Sequence, residues 1–128
     1  MKIDEIGFNW KQIRHFLLWI ALPLVIGFLV AATIPQPIIG TIHLDLAIDS
    51  YSANEMIAQI NYARQHPEVR GVVLIVDSPG GTVADTESVY QELLRLRQTK
   101  PVVTYIGAMA ASGAYYLSVG TDYIISNP

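Results

Sequence analysis

Nineteen consecutive residues without a charge, Phe16 to Ile34, limit what the first part of this chain can become. At helical rise such a run covers about 28 Å, enough to cross the hydrocarbon core of a bilayer. Pro23 and Gly27 lie inside it, and a membrane helix tolerates both better than a soluble helix does. Lys2, Lys11 and Arg14 precede the run, whereas no Lys or Arg follows it until Arg64. That asymmetry predicts a cytoplasmic leader over residues 1–15, a signal-anchor over 16–34, and everything after Pro35 on the far side of the cytoplasmic membrane. The competing reading is a cleaved secretory signal, for which Ala31-Ala32 offers small residues near a cleavage point. The length of the apolar run and of its leader favour the uncleaved anchor.

Pro35-Gln-Pro37 is a short stiff linker, and residues 38–128 form the remaining domain. Beyond residue 34 the chain carries five basic and nine acidic side chains, a net of −4, which argues against a nucleic-acid partner. The chain has no cysteine, so it has no disulfide framework and no thiolate metal site. Ile38 to Ile48 alternates around Ile42, Leu44, Leu46 and Ile48, the pattern of a strand. Ser52-Ala-Asn-Glu55 has capping-box spacing ahead of Met56, Ile57, Ile60 and Ala63, and Pro67 stops that helix near His66. Val72 to Val76 is an unbroken apolar run, read as a strand buried on both faces, and Asp77-Ser-Pro-Gly-Gly81 forces a turn after it. Thr82-Val-Ala-Asp85 repeats the capping-box pattern, with Val89, Leu93 and Leu96 along one face of the next helix. Val102–Ile106 and Tyr123–Ser126 read as two further strands, the latter also buried. The alternation β-α-β-α-β-α-β predicts an α/β fold with a largely parallel sheet and flanking helices.

Ser112 stands where the extended pattern of Val102–Ile106 has given way to a helix start, among Gly107, Ala108, Ala110, Ala111, Gly113 and Ala114. A hydroxyl at a tight strand-to-helix turn, followed by a free N–H, has the parts of a nucleophile elbow, although the stretch is not Gly-x-Ser-x-Gly. Taken alone, the stretch fits a helix N-cap better. The turn after Val76 changes that balance. Sites in open α/β sheets form outside the carboxyl ends of strands. If these two strands are neighbours, the N–H groups of Gly81 and Gly113 could converge beside Ser112, as a tetrahedral oxyanion requires.

Val72-Val-Leu-Ile-Val-Asp-Ser-Pro-Gly-Gly81, Lys100-Pro-Val-Val103, Ala110-Ala-Ser-Gly-Ala-Tyr-Tyr116 and Thr121-Asp-Tyr-Ile-Ile-Ser-Asn-Pro128 resemble the signal peptide peptidase A family, which has a Clp-protease/crotonase-like fold. The resemblance covers roughly Ile38 to Pro128 and suits an N-terminal anchor. It implies a serine protease with a Ser–Lys dyad that needs no cofactor. Ser112 matches the nucleophile, Gly81 and Gly113 match the oxyanion-hole positions, and Thr82, Val83 and Ala84 match the segment on which an extended substrate adds as a strand. It also implies remnant signal peptides or membrane-protein segments as substrates, and assembly into homo-oligomers. Ala114 stands where the family usually has a second glycine.

The larger departure is the base. Serine needs a partner to take its proton, and a Ser–Lys enzyme needs a lysine kept neutral by desolvation. In the family that lysine lies several dozen residues after the serine, whereas 16 residues follow Ser112 here. Lys2 and Lys11 precede the anchor, and Lys100 stands at the far end of the strand leading to the site. His43 and His66 read as strand and helix-end residues, Asp77 and Asp85 as turn and cap residues, and nothing resembles a metal cluster. The expected protease domain is therefore the N-terminal portion of a longer one, with the base outside these 128 residues. A lysine donated by another subunit would also supply the base, and an inactive relative would have none. Rival functions are a protease of stomatin-type membrane proteins, a non-catalytic membrane scaffold and, more weakly, crotonase-type acyl-CoA chemistry.

Overall fold

A computed structural model describes residues 10–127 of the chain. Lys2, the first nine positions of the expected leader, and Pro128 lie outside the described residues. The chain divides into two compact units, Met1–Gln36 and Pro37–Pro128.

In the first unit one continuous helix runs over Trp10–Ala32. It consists of Trp10–Phe16 (α1), a π turn over Leu17–Ala21, and Leu22–Ala32 (α2). The π turn has a local cause. Pro23 lacks an N–H and its ring crowds the carbonyl four residues back, so the preceding turn widens and Leu22 N–H reaches Leu17 O instead. The helix starts six residues before the uncharged run and takes in Lys11 and Arg14, both good helix formers. It stops at Ala32, where the Thr33 hydroxyl donates to Val30 O at 2.7 Å and Pro35 keeps the chain extended. At about 34 Å the helix is long and apolar enough to cross a bilayer, and none of its residues is buried.

In the second unit four strands, Ile38–Leu44 (β1), Val69–Ser78 (β2), Val102–Ala110 (β3) and Tyr123–Ser126 (β4), form one sheet in the order β1-β2-β3-β4, every pair parallel. Parallel neighbours need crossovers, supplied by Ser50–Gln65 (α3), Val83–Arg97 (α4) and Gly113–Val119 (α5). Helix α3 packs on α4 and α4 on α5, and this layer meets the sheet through Ile42, Leu44, Leu74 and Val76 against Met56, Ile60, Val89 and Leu93. The α/β architecture with flanking helices is as expected.

Several local expectations are corrected. Strand β2 is buried on one face only: Val72, Leu74 and Val76 point into the core, while Val73 and Ile75 are half-exposed on the face no helix covers. All four residues of β4 are exposed, because it is the sheet's edge. Strand β1 ends at Leu44, so Leu46 is exposed, and Ile48 returns to the core through a single parallel bridge to Gly81. The cap of α3 is Asp49 rather than Ser52: its carboxylate accepts from Tyr51 and Ser52 N–H, and Ser52 Oγ accepts from Asp49 N–H. These bonds hold the Asp49 carboxyl below its ordinary pKa, the Ser52 amide contributing most. Helix α4 begins at the predicted cap, with Thr82 Oγ1 accepting from Asp85 N–H at 3.3 Å, but the box is half formed, because Thr82 N–H donates to Ile48 O rather than to the Asp85 carboxylate.

Candidate active site

Strands β2 and β3 are hydrogen-bonded neighbours, so their carboxyl ends lie side by side. Strand β3 runs past Ile106 to Ala110, because its register jumps from Val76↔Ile106 to Ser78↔Ala110. The extra residues form an irregularity over Gly107, Ala108 and Met109, the first two with little or no side chain, that carries the strand end to the β2 turn.

Ser78 organises that turn from a fully buried position. Its hydroxyl donates to Leu46 O at 2.6 Å and accepts from Gly80 N–H at 3.1 Å, while its carbonyl accepts from Ala111 N–H at 3.1 Å. Pro79 followed by Gly80 at φ 90° is the pattern of a type II turn, which would normally close with Gly81 N–H on Ser78 O. Here Ala111 occupies that carbonyl, and Gly81 N–H makes no hydrogen bond within the described chain. Only glycine fits at residue 80, where a Cβ would lie 2.6 Å from Ala111 O and 2.7 Å from Gly113 N. The two turns are thus in backbone contact.

Ser112 has φ 50° and ψ −122°, and among the described residues it is the only non-glycine with positive φ. This conformation, that of the first central residue of a type II′ turn, costs on the order of 1–3 kcal/mol for a residue with a Cβ. Although Ser112 occupies the N-cap position of α5, its hydroxyl makes no capping bond and no other hydrogen bond among the described residues. The N–H of Gly113, first residue of that helix, is also without a partner. Ser112, Gly81 and Gly113 line one pocket of about 330 Å³ together with Val83, Thr86, Glu87 and Tyr116. A residue with a free hydroxyl on a strained turn therefore lines the same cavity as two glycines whose backbone N–H groups are unbonded.

The Thr82–Ala84 segment, matched to the place where an extended substrate adds, opens α4. Only Thr82 is extended, and its N–H already donates to Ile48 O at 2.9 Å. Capping by Thr82 starts the helix at Val83, so Val83 and Ala84 offer no strand edge, and of the three only Val83 lines the pocket. Within the α/β unit, the Lys, His and Asp side chains set aside as bases do not line this pocket. Lys100 Nζ donates to the carbonyls of Ala63 and His66, closing the end of α3 at the opposite end of β3 from Ser112. His66 stacks on Tyr62 with ring centroids 3.7 Å apart, and His43 is exposed, 3.8 Å from Asp45. Asp77, expected in the turn, is an exposed residue of β2, because the strand runs on to Ser78, and Asp85 accepts the Thr82 hydroxyl. Among the described residues no Lys or His lines the pocket, and no group of His, Cys, Asp and Glu could hold a metal.

Three pocket residues were not singled out from the sequence: Thr86, Glu87 and Tyr116. Thr86 is buried with Oγ1 unpaired, and Tyr116 OH donates to Glu87 Oε2 at 3.1 Å. That hydrogen bond, followed by desolvation, raises the Tyr116 pKa above its ordinary value. The available signal was spacing, since Val83, Thr86 and Glu87 share one face at the start of α4.

Comparison with known proteins agrees with this geometry. The chain is 46% identical over 72 residues to Protease 4 of Salmonella typhi, covering 56% of this chain and 12% of that protein. It is 39% identical over 90 residues to Protease 4 of Haemophilus influenzae, covering 69% and 15%. It is 30% identical over 79 residues to the putative signal peptide peptidase SppA of Enterococcus faecium, covering 61% and 23%. The chain thus spans less than a quarter of the length of each of these relatives. The Clp protease family model matches residues 39–124, which takes in β2, β3, most of β1, the glycine turn and Ser112, and on that match this chain belongs to the Clp protease family.

Proposed function

We propose that the chain is the nucleophile-bearing part of a membrane-anchored serine endopeptidase of signal-peptide-peptidase type. The observation that carries this reading is the strained Ser112, which has an uncommitted hydroxyl and lines one pocket with Gly81 and Gly113, whose N–H groups are uncommitted. Ser112 Oγ attacks the scissile carbonyl and its proton passes to a base. The carbonyl oxygen becomes an oxyanion held by the two glycine amides, each such donor being worth about 10²–10³ in rate. Collapse expels the amine, which takes the proton, and water then releases the acyl group from Ser112. The base is a lysine outside these 128 residues, from a continuing chain or from a neighbouring subunit of a homo-oligomer.

The Trp10–Ala32 helix serves as the anchor, with Lys11 and Arg14 on the cytoplasmic side and the α/β unit outside the cytoplasmic membrane. Substrates are remnant signal peptides or membrane-protein segments. An apolar peptide carrying a fluorophore and quencher, added to protein in native membranes, tests the reading. Cleavage abolished by Ser112→Ala is expected. Cleavage unchanged in that variant, or no peptidase activity in membranes where assembly is intact, would favour the non-catalytic scaffold.

A further inference from the structure

The pocket beside Ser112 has one polar flank that neither the nucleophile nor the oxyanion donors use. Thr86 is 4% exposed and its Oγ1 has no hydrogen-bond partner, an uncommon state for a buried hydroxyl. It is packed against the residue after the serine: a Cβ built at Gly113 would lie 2.5 Å from Thr86 Oγ1. One helical step on, the Glu87 carboxylate lines the same pocket, and no basic side chain pairs with it among the described residues. Across from it stands Tyr116, its ring held against Tyr90 with centroids 4.4 Å apart. Because its O–H is committed to Glu87, Tyr116 offers an occupant only lone pairs. Glu87 likewise only accepts, taking Gln91 Nε2–H on one oxygen at 2.7 Å and the Tyr116 O–H on the other. The flank is thus a set of acceptors carrying one unmatched negative charge.

We infer that this pocket is a side-chain subsite for a basic substrate residue, Lys or Arg, beside the scissile bond, with Glu87 taking the cationic tip and the Tyr116 hydroxyl oxygen accepting a further N–H. The inference rests on the catalytic reading of Ser112. Glu87 is exposed, so the preference is modest, about 2–5-fold, as for a solvent-accessible ion pair.

Two probes that differ only in charge test it on the full chain in detergent micelles. The amides of Nα-acetyl-lysine and Nα-acetyl-norleucine are titrated by NMR, and peptide boronates with the same two side chains are assayed for adducts on Ser112. Expected are binding and adduct formation about 2–5-fold better for lysine, and a ratio near 1 in Glu87→Gln. Equal or better performance of norleucine, with adducts forming normally, would overturn the subsite and leave the nucleophile standing. A lysine preference that Glu87→Gln does not change would also overturn it. Absence of either adduct on Ser112 would overturn the catalytic reading and, with it, the assignment of the pocket to substrate.

Discussion

Ser112→Ala separates the two roles open to a serine at a helix start. If the hydroxyl capped α5, its removal would cost about 1 kcal/mol, the usual loss for a Ser cap replaced by Ala. The hydroxyl instead has no hydrogen-bond partner, and the Cβ that imposes the strain is kept, so the expected change is under about 0.5 kcal/mol. Ser112→Gly adds the second half of the argument. Positive φ at this residue costs on the order of 1–3 kcal/mol, and glycine relieves it while adding about 0.5–1 kcal/mol of backbone entropy. The glycine variant should therefore be about 1 kcal/mol more stable than the alanine variant, or about 5 °C in Tm for a domain of this size. Urea unfolding followed by circular dichroism in micelles measures both differences. A loss of about 1 kcal/mol or more in Ser112→Ala would show that the serine is a cap. Equal stability of the Gly and Ala variants would show that no strain is stored there.

Other expectations concern the surroundings of the site. Gly80→Ala should cost about 2–3 kcal/mol and sharply reduce reactivity at Ser112, because its Cβ meets the Ala111 and Gly113 backbone and φ is 90°; unfolding and adduct formation check both. Lys100→Met should lose about 1–2 kcal/mol from the α3 end while leaving the rate of Ser112 modification unchanged; a large drop in that rate would reinstate Lys100 as the base. Asp122 accepts from Val102 N–H at 2.8 Å and Arg97 Nε at 2.7 Å, and these bonds, the backbone one foremost, lower its pKa from 3.8. A depressed carboxylate stabilises the fold above its unfolded pKa, and this contribution fades as pH falls through the folded value. Asp122→Asn should thus be about 1 kcal/mol less stable at pH 7, with the gap closing in acid; a gap independent of pH would contradict the assignment.

The sheet and its crossovers were legible because their signals are local. Val72–Val76, the Thr82 cap and the Pro67 stop each act within a few residues, and each appears where the pattern put it. Burial was less legible. The Val72–Val76 run shows that a strand is apolar, not which neighbour covers each face, and Tyr123–Ser126 looks buried until the strand order makes it an edge. Asp49 displaced Ser52 as a cap because two good capping residues stand three apart, and sequence spacing does not rank them.

At the site, the glycine turn and the serine could be paired from sequence because both follow strands. The details that make the pairing chemically useful are tertiary. Ala111 N–H bonds the Ser78 carbonyl while the Gly81 amide stays unbonded, and the β3 irregularity brings residue 112 alongside the turn. Thr86, Glu87 and Tyr116 passed as ordinary helix-face residues, since only the approach of α4 to α5 makes them a pocket wall.

The most direct test of the central claim is covalent. Native membranes containing the protein are treated with a fluorophosphonate, and the modified residue is mapped by peptide mass spectrometry. The account predicts a single phosphonylated serine, Ser112, whose labelling is lost in Ser112→Ala and sharply reduced in Gly80→Ala. An unmodified Ser112, in membranes where other serine hydrolases are labelled, would contradict it.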